Sequence, residues 1–278
     1  MPPRLPLVLY HANCWDGFCA AFVLWKHYDG AIDARPVRYG DPLPDPLDTV
    51  VRSVFVVDFS WPLVELRALA AESARLHVLD HHRTAITALR GQSLGPFATL
   101  DLREDWSGAH LVWSRYGPTE TLPWLVAYTE DRDLWRWALP DTREINAALR
   151  SYPLDFELWD SWGPDVPPTF VAEGAAILRA EAAVIERHVR HAQRNVPFAG
   201  HEHVSVVNAT SLQSEIGHAL AKDAFFAVCW FEDRHGDTVY SLRSAEHGAD
   251  VSAIAARFGG GGHVHAAGFT LPRGVPRP

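Results

Sequence analysis

Cysteine is scarce in this chain: Cys14, Cys19 and Cys229 are the whole supply across 278 residues. They form no CxxC pair and no disulfide framework, so a stapled secreted scaffold is excluded and a reducing, cytoplasmic setting is expected. Long apolar runs are also missing. None approaches the roughly 18–20 consecutive apolar residues of a membrane span, so no membrane partner is expected. The amino terminus, Met1-Pro2-Pro3-Arg4-Leu5-Pro6, lacks a signal-peptide core, because Tyr10-His11-Ala12-Asn13 cuts the first apolar run short. Basic charge is in deficit as well, with 25 Lys and Arg against 34 Asp and Glu and a net charge of −9. Proteins that coat long nucleic acid carry a basic surface, so no long-duplex partner is expected. A small anionic substrate, held by a few local cations and metal ions, remains compatible.

What is present is a substantial apolar fraction, 47%, arranged in a repeating pattern. Eleven tryptophans belong mostly to the core, leaving one or two to stack on bases. Leu5 to Tyr10 reads as a buried strand that ends in His11-Ala12-Asn13-Cys14-Trp15-Asp16-Gly17. Phe18, Ala21, Phe22 and Trp25 then share one helical face, and Gly17 permits a close turn into that helix. Residues 40–49 read as a Pro/Asp-rich loop. Val54 to Ser60 is a second strand, carrying Asp58 near its end, and Pro62 opens a helix to about Glu72. Leu76 to His82 is a third strand, ending in Asp80-His81-His82.

Strands alternating with helices imply a doubly wound, parallel sheet. In such a sheet the carboxyl ends of the strands share one edge, where ligands bind. His11 and Asp16, Asp58, then Asp80 and His81 therefore gather metal-competent side chains along one line, with His82 left to touch a substrate. A helix over 106–117 and an apolar helical segment from Leu122 to Ala127 follow. The latter runs into a polar cluster, Tyr128 to Trp135, that offers Asp131 and Asp133 as a fourth carboxylate source.

Prolines at 153, 164, 167 and 168 mark the end of a first domain, placed at residues 1–165. A long charged, Ala-rich helix from Ala172 to about Asn195 connects it, over 166–195, to a smaller α/β domain at 196–278. There, strands are expected at 204–207, 224–230 and 239–242, with helices at 212–222 and 251–258. Arg243 follows a strand, and Gly259 to Gly262 precede His263 as a loop whose amides are expected to form an anion-binding nest.

These residues together resemble the DHH phosphoesterase superfamily, in the branch with a C-terminal DHH-associated domain of the first type. The resemblance rests on His11-x-Asn13 with Asp16-Gly17, on Asp58, on Asp80-His81-His82, and on Gly261-Gly262-His263 with Ala266-Ala267-Gly268. It implies two domains with the active site in the cleft, and two divalent metal ions, Mn²⁺ ahead of Mg²⁺ or Co²⁺. By position, His11, Asp16, Asp58, His81 and Asp131 would be metal ligands, with Asp58 bridging both ions. Asp80 would support the site and His82 would contact the substrate phosphate. Arg243, Gly261, Gly262 and His263 would hold the substrate. One departure stands out: Asn13 sits where many members carry an Asp, and Asp133 is an alternative to Asp131.

The implied activity is phosphoester hydrolysis by two-metal activation of water. The expected substrates are short oligonucleotides, as for nanoRNases, or small nucleotides such as 3′-phosphoadenosine 5′-phosphate and products of cyclic dinucleotides. A RecJ-like single-strand exonuclease core is the alternative enzyme. A non-catalytic nucleotide-binding or sensing protein is the alternative from another class. A homodimer is compatible and is left open.

Overall fold

The computed structural model describes residues 4–278; the Met1-Pro2-Pro3 start of the expected signal-free terminus lies outside them. The chain divides into two compact units, Met1–Leu178 and Arg179–Pro278, and the division falls inside the long helix.

The first unit runs β1 (Leu7–His11), α1 (Trp15–His27), β2 (Asp33–Val37), α2 (Pro46–Thr49), β3 (Ser53–Val57), α3 (Leu63–Glu72), β4 (Arg75–Asp80), α4 (Arg83–Leu89), β5 (Ala98–Leu102), α5 (Gly108–Tyr116), α6 (Trp124–Asp133), α7 (Thr142–Ser151), α8 (Phe156–Ser161) and α9 (Phe170–His191). Its five strands form one sheet in the order β2-β1-β3-β4-β5, parallel throughout. Side chains alternate cleanly between its faces, as the two-residue period of a strand requires. Val8, Phe55, Val57 and Leu79 join α1, α5 and α6 in one core. Leu7, Leu9, Val54, Val56, Leu76 and Val78 join Leu66 and Leu69 of α3 in the other. Both faces are covered, so the central strands read as continuous apolar runs.

The edge strands look different. β2, Asp-Ala-Arg-Pro-Val, carries two charges and Pro36. Pro is tolerated where one side of a strand has no neighbour. Asp33 accepts from both Arg35, 2.7 Å, and the buried Arg52, 2.9 Å, which adds ionic contacts to the burial of Val37 in anchoring β2.

The second unit adds β6 (Gln193–Phe198), β7 (His201–Asn208), α10 (Gln213–Ala221), β8 (Phe226–Glu232), β9 (Thr238–Arg243), α11 (Val251–Ala256), β10 (Gly261–His263) and β11 (Ala266–Leu271). They make a six-stranded sheet, β10-β11-β9-β8-β7-β6. Only β7 and β8, linked through α10, run parallel; the other pairs are antiparallel. The glycine run is not the loop nest expected. Gly261 and Gly262 lie in β10, paired with Gly268 and Ala267. Gly262 has φ 139°, and a Cβ there would lie 2.5 Å from the Ala266 carbonyl oxygen, so close strand pairing explains that glycine. Among the described residues no helix is long and apolar enough to cross a membrane.

Candidate metal centre

Parallel strands deliver their carboxyl ends to one edge, and the sheet order reverses direction at β1 and β3. That switch point opens a crevice at the strand ends. His11 is the last residue of β1, Asp58 follows β3, and Asp80 ends β4.

The backbone is shaped around these side chains. Asp58 adopts φ 55°, in the left-handed region that costs a non-glycine residue about 1–3 kcal/mol. Its amide still donates to the Leu79 carbonyl at 2.9 Å, so the sheet holds it in place. A Cβ on Gly108 would come within 2.6 Å of Asp58 Cβ and 2.9 Å of Asp16 Oδ2, and one on Gly17 within 2.6 Å of the His11 carbonyl oxygen. Both glycines admit the neighbouring ligand-bearing backbone. Asp80 organises its own turn: Oδ1 accepts from the amides of His81, 2.7 Å, and His82, 3.1 Å, and from His82 Nδ1 at 2.7 Å. The last contact orients the His82 ring.

Asp58 is 1% exposed. Its Oδ2 lies 3.4 Å from His11 Nδ1 and its Oδ1 3.0 Å from His81 Nε2. Neither carboxylate oxygen makes a hydrogen bond with the described residues, nor does His11 Nδ1. Buried polar atoms without an aligned hydrogen bond are costly, and here they face imidazole nitrogens at ion-pair distance. His81 Nε2 is also 3.6 Å from Asp16 Oδ2 and 3.4 Å from Asp133 Oδ2. The donor atoms fall into overlapping groups, His11 with Cys14 and Asp58, Asp16 with His81 and Asp133, and Asp58 with Asp80 and His82. Asp58 touches both neighbourhoods through different oxygens.

The electrostatics point the same way. Burial, reinforced by the charges of Asp58 and Asp133, pushes Asp16 well above the usual carboxylate range. Burial also raises Asp133, with Asp58 adding to it against the opposing His81. For Asp58 burial is overridden by His11 and His81, which hold it well below that range. Burial would depress His81, but Asp58, Asp133 and Asp16 lift it to about 10. With every carboxylate ionised, the cluster would carry more negative charge than its imidazoles balance, and the raised Asp16 and Asp133 are the result. Carboxylate oxygens with imidazole nitrogens are a donor set for borderline-to-hard divalent cations.

The remaining expected residues divide. Asp16 sits in the first turn of α1 and accepts from the amides of Gly108, 2.6 Å, and Ala109, 3.0 Å, at the start of α5, a favourable place for a carboxylate. Its oxygens retain lone pairs toward His81. Asp131 is turned to a different task, accepting from the amides of Ala138, 2.9 Å, and Leu139, 3.3 Å. Asp133, two residues on, faces His81. Asn13 is exposed at φ 56°, a backbone setting that Asn tolerates, and its neighbour Cys14 is the residue whose side chain joins His11 and Asp58. Sequence reasoning passed over Cys14. The signal was its place three residues after His11, in the segment joining β1 to α1.

In the second unit, strand register puts His263, Ala266, Arg243 and Ala227 in one row across four strands, so Arg243 and His263 belong to the same sheet face. Arg243 donates to Ser241 Oγ, 3.1 Å, and Ser214 Oγ, 2.7 Å, which fixes its guanidinium.

No family model matches the chain. It is 39% identical over 218 residues, 71% of this chain and 53% of the relative, to oligoribonuclease NrnB of Bacillus subtilis. It is 27% identical over 296 residues, covering 96% of this chain and 68% of the relative, to an uncharacterised protein of Acanthamoeba polyphaga mimivirus. The chain thus spans about half the length of NrnB. Among solved structures, RecJ from Thermus thermophilus in complex with Mn²⁺ matches 96% of this chain and 50% of its own, with TM-score 0.51 and 16% identity. An exopolyphosphatase-related protein from Bacteroides fragilis matches 96% of this chain and 86% of its own, with TM-score 0.50 and 14% identity. Strand ends bearing His11, Asp58 and Asp80-His81-His82 stand on a parallel sheet whose fold is that of RecJ, and the proteins this chain is similar to are members of the DHH phosphoesterase superfamily.

Proposed function

We propose that this protein is a divalent-metal-dependent phosphoester hydrolase acting on short oligonucleotides or small nucleotides. The observation that carries the reading is Asp58, a buried carboxylate with no hydrogen bond to either oxygen, one facing His11 and the other His81. A carboxylate so placed suits a bridge between two ions. His11 would serve one ion; Asp16, His81 and Asp133 would serve the other, with Asp133 in the role first expected of Asp131. Mn²⁺ fits mixed oxygen and imidazole donors, and the matching RecJ structure was solved with it. When bound, such ions supply Lewis-acid activation of water and neutralise charge on the phosphoryl group.

The chain's own groups supply the rest. Asp80 holds His82 by its Nδ1, and His82 would contact the substrate phosphate as charge grows there. The Arg243–His263 row of the second unit would grip a non-reacting part of the substrate. Similarity to an oligoribonuclease and a net charge of −9 favour short substrates over long single strands. The deciding experiment is a hydrolysis panel in Mn²⁺ with an RNA dinucleotide, a linear product of a cyclic dinucleotide, 3′-phosphoadenosine 5′-phosphate and a long single-stranded DNA. Turnover is expected on the short ligands. Turnover on the long DNA alone would favour a RecJ-like exonuclease, and tight binding without turnover would favour a sensor.

A further inference from the structure

We infer that Cys14 is a thiolate ligand, and that it makes the ion position beside His11 chemically unlike the position beside His81. The inference rests on the two-ion reading of Asp58.

Cys14 is the residue immediately before α1, with extended backbone (φ −120°, ψ 128°), and its side chain makes no capping hydrogen bond to the helix. Its sulfur lies within 4.8 Å of donor atoms of both His11 and Asp58, and those donors lie equally close to each other. A half-buried cysteine near a histidine is ordinary on its own. Here the atoms it faces are the exceptional part: Asp58 is 1% exposed with neither oxygen in an aligned hydrogen bond, and His11 Nδ1 makes none either. One nitrogen, one sulfur and one oxygen thus converge within 4.8 Å of one another.

On the other side of Asp58 the set is Asp16, Asp133 and His81, two oxygens and a nitrogen without sulfur. Carboxylate-rich sites suit Mg²⁺ and Mn²⁺, while a thiolate shifts preference toward Zn²⁺, Co²⁺ and softer ions. Binding releases the thiol proton to solvent as the sulfur–metal bond forms. The two positions should then differ in preference, the Cys14 position taking a thiolate-seeking ion and the His81 position a hard one. Cys19 and Cys229 are buried elsewhere, which makes them internal controls.

The test is a Co²⁺ titration of the full-length metal-free protein, followed by ultraviolet–visible absorption and by metal content. A thiolate-to-cobalt charge-transfer band in the near ultraviolet is expected in the wild type and absent in Cys14→Ser, with Cys19 and Cys229 intact. Cys14→Ser should weaken Cd²⁺ binding by at least about tenfold, the low end of what altering even an outer partner does to a metal site. Cys14→Asp should lose the band, keep two ions, and favour Mn²⁺ over Cd²⁺. Circular dichroism and Tm establish that both variants are folded, and agreement between them separates ligation from a packing defect. If the wild type binds two Co²⁺ ions in an Asp58-dependent way without the band, or if Cys14→Ser retains the band, Cys14 is not a ligand while the two-ion reading stands. If Asp58→Asn leaves Co²⁺ binding unchanged, the two-ion reading itself fails and this inference goes with it.

Discussion

The two sheets of this protein bring side chains together in different ways. In the first unit all strands run parallel, so each crossover returns the chain to the same end and the carboxyl termini of β1, β3 and β4 accumulate there. Residues far apart in sequence, such as Asp16 and Gly108 or His81 and Asp133, meet within a few ångströms. In the second unit most pairs are antiparallel, and chemistry is organised by register instead: His263 and Arg243 occupy one row of a face. The first arrangement concentrates unbalanced buried charge, which calls for a cation. The second spreads donors over a surface, which suits contact with an extended anion.

That contrast breaks most sharply at Asp58. Asp58→Ala should lower kcat by at least about 100-fold, the scale of losing one major transition-state stabiliser, and should strip metal measured by elemental analysis. Near-normal turnover in Mn²⁺ would remove the bridging carboxylate from the mechanism.

Asp133 and Asp131 sharpen it next. Asp133→Ala should weaken metal binding between about tenfold and 100-fold without lowering the Tm of the chelated protein, because it removes a carboxylate that burial and Asp58 already push up. Asp131→Ala should do the reverse. It leaves the Ala138 and Leu139 amides without their acceptor and should cost about 1–3 kcal/mol, read by denaturant unfolding, with metal content intact. Exchange of these outcomes would return the ligand role to Asp131.

The second unit is expected to act on substrate alone. Arg243→Ala and His263→Ala should leave metal content unchanged and lower kcat/KM on a dinucleotide by about tenfold through lost positioning. A small ester such as bis-p-nitrophenyl phosphate, with little to grip, should suffer less. Equal loss on both substrates with a lower Tm would mark these residues as structural.

The smallest effect concerns pH. In the metal-free protein His81 is raised from 6.5 to about 10 by the surrounding carboxylates. A histidine raised on folding stabilises fully below its unfolded pKa, and that stabilisation is lost as pH climbs through the folded value. The raised Asp16 and Asp133 act in the same sense, since each favours its protonated form in the fold. The Tm of chelated protein should therefore fall from pH 6.5 toward 10, and metal loading should suppress the fall by replacing the proton. A flat profile after chelation would mean that His81 does not carry that proton.

The central strands were legible because burial on both faces writes them as uninterrupted apolar runs, Leu7 to Leu9, Val54 to Val57 and Leu76 to Leu79. The edges were not. β2 carries Asp33, Arg35 and Pro36, β6 carries Arg194 and Pro197 within a bulged pairing, and β10 is mostly glycine. An edge strand needs neither a full apolar face nor every amide donor, so its composition resembles a loop. β5, the opposite edge of the first sheet, is only half-buried along its length and escaped notice for the same reason.

The sequence by itself determined the alternation of strand and helix, the parallel class of the first sheet, and which strand ends carry His11, Asp58 and Asp80. Those are local matters of periodicity and punctuation. Only the tertiary structure separated the surroundings of Asp131 and Asp133, because two residues along α6 rotate a side chain by more than half a turn, so Asp133 faces His81 while Asp131 accepts from the amides of Ala138 and Leu139. Only it turned Asn13 outward and brought Cys14 toward His11 and Asp58. Chain spacing lists which donors are near one another; a left-handed turn and the direction of a helix select which of them face the same point.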